Sequence, residues 1–239
     1  MNPSTVFVIV HGADGSIVSF YELARLLNIP VIAIRYIPSL VESCQTIEQF
    51  AAIYLDHFLK CYPTVSYILA GHSFGGLVAL EMAVLAHAQG KKNVPVFLLD
   101  PNLPLAMRNY QAERLLELRV LATIVIPQHM IAKYDIDHCD ESELLNLLSR
   151  CLKPNRIEEI LSARKHCLAA LSQYSYRDHP GLFAHMIHAS DKLEFDFIDQ
   201  ETKCITTGSM VSGNHFTMLN SPHAGDLAAI INSHLGRYV

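Results

Sequence analysis

The sequence predicts a doubly wound α/β fold with a mostly parallel sheet and one helical insertion. Three observations predict it. Short apolar runs of strand length alternate with helical patterns from Val6 to Leu99. That rhythm stops over about 104–176, where helical patterns follow one another, and two more strand-like runs come after. Finally, 239 residues at 51% hydrophobic and 17% charged can bury one large core, so 1–239 reads as a single domain with its insertion at about 104–176.

Each element follows from a local signal. Val6-Phe7-Val8-Ile9-Val10 is β-branched and aromatic and ends at His11-Gly12, which suits a strand buried on both faces. Ser19 and Glu22 stand at capping-box spacing before Leu23, Leu26 and Leu27, which predicts a helix start. Residues 31–34 form the second strand. Thr46 and Gln49 repeat the capping pattern, and Ile47, Phe50, Tyr54 and Phe58 place one apolar stripe on the next helix. Residues 67–70 form the third strand. Beyond Ser73, Leu77, Leu80, Val84 and Ala88 recur at helical spacing until Gly90 supplies a stop. The fourth strand spans 94–99, with Pro95 near its start, where a missing amide donor is tolerated. In the insertion, helices are expected over 110–122, 140–151 and 155–173, the last with Asn155 and Glu158 as cap signals. Strands near 182–189 and 202–206 follow, and a last helix opens with Ser221-Pro222 and runs to Leu235.

Composition excludes several function classes. A formal net charge of −5 leaves no basic stripe to follow a phosphate backbone, so nucleic acid is not an expected partner. Positive and negative residues balance within the insertion, which places the net charge on the sheet-forming part. Six scattered cysteines without short paired spacings read as reduced thiols of a cytoplasmic protein. The first residues lack a signal-peptide pattern, and no stretch approaches the roughly 18 apolar residues of a membrane span. Neither a metal-ligand cluster nor a phosphate-cradling glycine loop is present, so no resident cofactor is expected.

Chemistry concentrates at Gly71-His72-Ser73-Phe74-Gly75. A nucleophile at a sharp strand-to-helix turn needs small residues two positions before and after it, and here a strand precedes and a helix follows. That context marks the α/β-hydrolase fold and makes Ser73 the expected acyl-accepting nucleophile. Serine at its ordinary pKa attacks poorly, so a histidine base and an orienting carboxylate must follow in the chain. His215, in a loop after the last strand, is the expected base. Asp100, ending the fourth strand, is the preferred acid, and Asp191, after the fifth, is the alternative. Two backbone donors for the oxyanion are expected from Phe74 and from Ala13 in the loop after the first strand. His11 and His72 border that site and are read as shaping it.

Together these motifs resemble the thioesterase domains and proteins of nonribosomal peptide, polyketide and fatty acid synthases, over nearly the whole chain. His11-Gly12-Ala13-Asp14-Gly15-Ser16 is similar to the family's first loop, and Gly71 to Gly76 to its nucleophile motif. Leu98-Leu99-Asp100 resembles the strand-end acid of product-releasing members, and Gly213-Asn214-His215-Phe216-Thr217-Met218-Leu219 the histidine segment. The resemblance implies a Ser73-His215-Asp100 triad, Ala13 and Phe74 as oxyanion donors, and a lid in the insertion. Stand-alone editing members place the acid where Asp191 stands. It further implies that an acyl, polyketide or peptidyl thioester is released from a phosphopantetheine arm on a carrier protein or synthase module, by hydrolysis or cyclisation. Two positions depart from the pattern: Asp14 replaces a usual glycine, and Pro101 a small polar residue. A carboxylesterase or lipase-like hydrolase, and an inert hydrolase-like binding protein, are the competing readings.

Overall fold

The computed structural model describes residues 5–91, 94–101, 113–131, 133–177, 179, 181–191 and 205–236. Six strands, β1 (Thr5–Val10), β2 (Val31–Ile34), β3 (Ser66–His72), β4 (Val96–Leu99), β5 (Ala184–Ala189) and β6 (Ile205–Val211), lie in the order β2-β1-β3-β4-β5-β6. Every pairing is parallel. The chain steps outward from β1 to β2 and then returns to place β3 on the other side of β1. The carboxyl ends of β1 and β3 therefore flank the point where the winding reverses, the usual crevice of such sheets.

Alternate strand residues feed two apolar layers. Val6, Val8, Val10, Leu69, Val96, Leu98 and Met186 face α3 (Ile47–Cys61) and α4 (Phe74–Ala88), while Phe7, Ile9, Ile68, Phe97, Leu99 and Ile187 face the side of α9 (Ala224–Leu235). On that second side lie a short 3-10 turn at Val18–Phe20 and α1 (Tyr21–Leu26); a further short helix, α2 (Pro38–Val41), precedes α3. Helix α4 is buried nearly all round from Phe74 to Ala83, as its almost unbroken apolar and glycine composition requires. Gly90, at φ +87°, ends it in the left-handed conformation expected after a helix.

Between β4 and β5 lie α5 (Arg114–Val125), α6 (Gln128–Ile131), α7 (Glu141–Ser149) and α8 (Pro154–Ser172). Leu118, Leu121, Leu144, Leu148, Ile157 and Ile160 form a third apolar cluster there. Helix α8 belongs to two clusters, because its later residues Cys167, Leu168, Ala170 and Leu171 join the core over α3 and α4. A buried ion pair ties this helix to α5: Arg164 Nε donates to Glu117 Oε2 at 2.5 Å, with the two residues 7% and 4% exposed.

Several boundaries differ from expectation, each for a local reason. The Ser19 cap is not used; the 3-10 turn comes first, and Glu22 instead accepts the Ser221 amide at 2.8 Å. Helix α8 opens with Pro154 in its first turn, so Asn155 lies inside it and Glu158 pairs with Arg114 at 2.7 Å. Helix α9 begins at Ala224, and Ser221-Pro222 form the turn before it. Strand β6 runs over 205–211, later than expected, because Thr206, Thr207 and Ser209 give it no apolar run; residues 202–204 lie outside the described residues. The expected helix start at 110–112 and the insertion's first residues also lie outside them.

Candidate active site

The site is assembled at the carboxyl ends of β1, β3, β4, β5 and β6. Parallel register puts Val10 beside Gly71, His72 beside Leu99, Leu99 beside Ile187 and Ala189 beside Val211. The residues just beyond each strand therefore share one edge. Ser73 sits at φ 56°, ψ −124°, and its amide donates to Leu99 O at 3.0 Å. Only Ser73 and Asp100, at φ 43°, have positive φ among the described non-glycine residues. Such backbone costs roughly 1–3 kcal/mol and persists where packing over-determines it. Both flanking glycines explain how: a Cβ on Gly71 would lie 1.9 Å from Gly75 O, and one on Gly75 would lie 2.3 Å from His11 O. The amino end of α4 points its positive dipole at Ser73.

Asp100 meets His215. His215 Nδ1 donates to Asp100 Oδ2 at 2.8 Å, and the other carboxylate oxygen accepts from the Ala189 amide at 3.3 Å and from His188 Nδ1 at 3.4 Å. Burial alone would raise the Asp100 pKa, but hydrogen bonds from His188 and His215 outweigh it and hold the carboxyl well below the usual range. With its Nδ1 proton committed to Asp100, a neutral His215 keeps Nε2 as an acceptor. Asp191 does not reach this histidine: its amide donates to Gly213 O at 2.9 Å, and its carboxylate accepts the Ser190 hydroxyl at 2.8 Å on the surface. His188 is a neighbour that the sequence did not single out; as one of two histidines in the strand Ala184–Ala189, it carries no signal that separates it from His185.

His72 Nε2 donates to the His215 carbonyl at 2.8 Å, and the two rings lie 4.6 Å apart, so the residue before Ser73 fixes the histidine loop. The loop after β1 closes as a turn, Gly15 N to Gly12 O at 3.0 Å, beside His72. Ala13 and Phe74 are both buried here. Burial pushes the pKa of Asp14 up against the pull of Arg164. Pro101 lies over Gly76, where an added Cβ would be 3.2 Å from the proline Cβ.

Burial pushes the pKa of His11 down to about 4 and that of His72 down to about 3, so both are neutral in the fold. The unfolded chain, with histidine near 6.5, takes up these protons first. Stability is therefore fully present above about pH 6.5 and declines as pH falls toward 4, by up to about 1.4 kcal/mol per pH unit for each histidine. Asp14, with its raised pKa, works in the opposite sense over the acid range. Urea midpoints at pH 7 and pH 5 check the balance: a clear drop at pH 5, made shallower by His72→Gln, is expected, and equal midpoints would refute it.

The strand order, the turn at Ser73 and the strand-end residues define an α/β-hydrolase fold. Within that class, residues 5–235 match the family model for the thioesterase domain, and the chain belongs to that family. It is 26% identical over 258 residues to the non-reducing polyketide synthase terA of Aspergillus terreus (strain NIH 2624 / FGSC A1156), covering 97% of this chain and 12% of that protein. The chain thus spans about an eighth of that relative's length. Among solved structures, the NocB thioesterase domain in covalent complex with a fluorophosphonate nocardicin G analog superposes with TM-score 0.70 at 20% identity, covering 97% of this chain and 95% of that one. RedJ thioesterase from the prodiginine pathway of Streptomyces coelicolor gives 0.70 at 18%, covering 98% and 87%. A four-domain nonribosomal peptide synthetase, holo-AB3403, gives 0.73 at 21%, covering 96% and 19%. None of the described helices is long and apolar enough to cross a membrane.

Proposed function

We propose that the protein releases acyl, polyketide or peptidyl chains from a phosphopantetheine thioester through an acyl-Ser73 intermediate. The observation that carries this reading is the 2.8 Å contact of His215 Nδ1 with Asp100 at the strand edge holding the strained Ser73. In the first step His215 Nε2 takes the Ser73 hydroxyl proton as Oγ attacks the thioester carbonyl. The tetrahedral oxyanion is met by the Ala13 and Phe74 amides. Collapse breaks the C–S bond, and His215 returns the proton to the leaving pantetheine sulfur. Water, or a nucleophile within the chain, then repeats the sequence in reverse and frees Ser73. No step calls for a resident cofactor; the pantetheine arm comes with the substrate.

Helices α5 to α8 are read as the lid over this edge. The expected partner is an acyl or peptidyl carrier protein or synthase module, a reading supported by the synthases among the relatives. Incubation with hexanoyl-pantetheine is expected to add one hexanoyl group to Ser73 in intact-mass spectra, and a fluorophosphonate probe to label the same serine. Faster turnover of the matching oxygen ester would favour a carboxylesterase. Lack of labelling in the folded protein would favour a binding role.

A further inference from the structure

We propose that Tyr54 is a positioning residue for the oxyanion hole, acting through His11 on the direction of the Ala13 N–H; this rests on the function proposed above. The Gly12 carbonyl accepts from His11 Nδ1 at 2.6 Å and from the Gly15 amide at 3.0 Å. A trans peptide is planar, with its C=O and N–H on opposite sides. Holding the Gly12 oxygen therefore fixes the N–H of Ala13 in the opposite direction. Within the same loop the Gly15 amide is turned inward onto Gly12 O. Ala13 is thus the loop donor set by His11.

His11 can perform this task in one protonation form only. It is neutral, because burial depresses its pKa to about 4, so one of its ring nitrogens carries the proton. Donation to Gly12 O demands that this be Nδ1. The Tyr54 hydroxyl lies 2.7 Å from Nε2, and burial pushes its phenol pKa up, so it stays a donor. By donating to Nε2 it stabilises the bare acceptor there and keeps the proton on Nδ1. The group that selects the tautomer comes from α3, 43 residues away, and is 1% exposed. Phe50 crosses the Tyr54 ring edge-on at 6.0 Å, and the His11 ring stacks on Phe74, bearer of the other proposed donor, at 5.8 Å and 19°. One hydroxyl on α3 thereby governs a hydrogen bond offered to the substrate from the loop after β1.

The test uses Tyr54→Phe, which removes only the hydroxyl, His11→Gln, and the double variant Tyr54→Phe/His11→Gln, in the full chain. Loss of one oxyanion donor costs on the order of 10²–10³ in kcat, so misdirection of one is expected to lower kcat about tenfold with KM unchanged. Affinity for hexylboronic acid, whose Ser73 adduct is tetrahedral, is expected to fall by the same factor. Ring 15N spectra of His11 are expected to change from an Nδ1-protonated to a mixed pattern. Tyr54→Phe added to His11→Gln is expected to cost nothing further, because the hydroxyl acts only through that ring. A Tyr54→Phe enzyme within twofold of wild type, or a kcat loss without loss of boronate affinity, would overturn the relay while leaving the thioesterase reading intact. Absence of both thioester turnover and boronate binding in wild type would overturn the functional reading and the relay together.

Discussion

Asp100→Asn is expected to lower kcat for hexanoyl-pantetheine by about 10⁴-fold with little change in KM. The reason is the tautomer. The Asp100 carboxylate accepts the Nδ1 proton of His215 at 2.8 Å, whereas an asparagine amide can turn its NH₂ toward the ring. The ring then carries its proton on Nε2, the nitrogen that must receive the Ser73 hydroxyl proton. Protein fold should survive, since the Ala189 amide and His188 still find an oxygen at this position. Asp191→Asn is expected to stay within about twofold of wild type, because its carboxylate serves the Ser190 hydroxyl. Steady-state kinetics of the two variants decide the matter. An equal or larger loss for Asp191→Asn would move the acid to the end of β5.

Gly75→Ala is expected to produce the largest loss of stability. Its Cβ would lie 2.3 Å from His11 O and 2.4 Å from Val10 O, backbone atoms at and just beyond the end of the central strand β1. No rotamer can relieve that contact. Gly71→Ala meets Gly75 O at 1.9 Å and belongs with it. Losses above about 4 kcal/mol, or no soluble protein, are the expected outcome. Gly225→Ala is the control: in α9 the added Cβ meets nothing within 4 Å, and helix propensity favours alanine by up to about 1 kcal/mol. Soluble yield and urea midpoints of the three variants give the comparison. A Gly75→Ala protein as stable as Gly225→Ala would refute the packing argument.

Much of this architecture was legible in the sequence because buried parallel strands leave plain apolar runs. Val6 to Val10 and residues 31–34 needed no tertiary knowledge to recognise. Strand β6 was harder: at the end of the sheet order, it carries threonines, a serine and a glycine, so its bounds are set by pairing with β5 rather than by composition. Caps were misread where a side chain found a distant partner, as Glu22 does at Ser221 and Glu158 at Arg114. Ser73, Asp100 and His215, the proposed triad, stood out because they follow strands in the chain order expected of this fold. His188 and Tyr54 did not. Tyr54 read as one position in the apolar stripe of α3, which it is; its hydroxyl acquires meaning only once β1 is laid against that helix.

Helix α8 has a consequence for recombination. Ile157 and Ile160 near its start belong with α5 and α7, while Cys167, Leu168 and Leu171 near its end are cemented into the body, and Ala163 meets the loop at Gly15. A chimaera that imports α5 to α7 from another thioesterase therefore has its natural crossover inside α8, near 161–163, rather than at the helix ends. Such a graft would have to bring Glu117 but keep Arg164, so the donor segment is compatible only if it presents a carboxylate at that one place on α5.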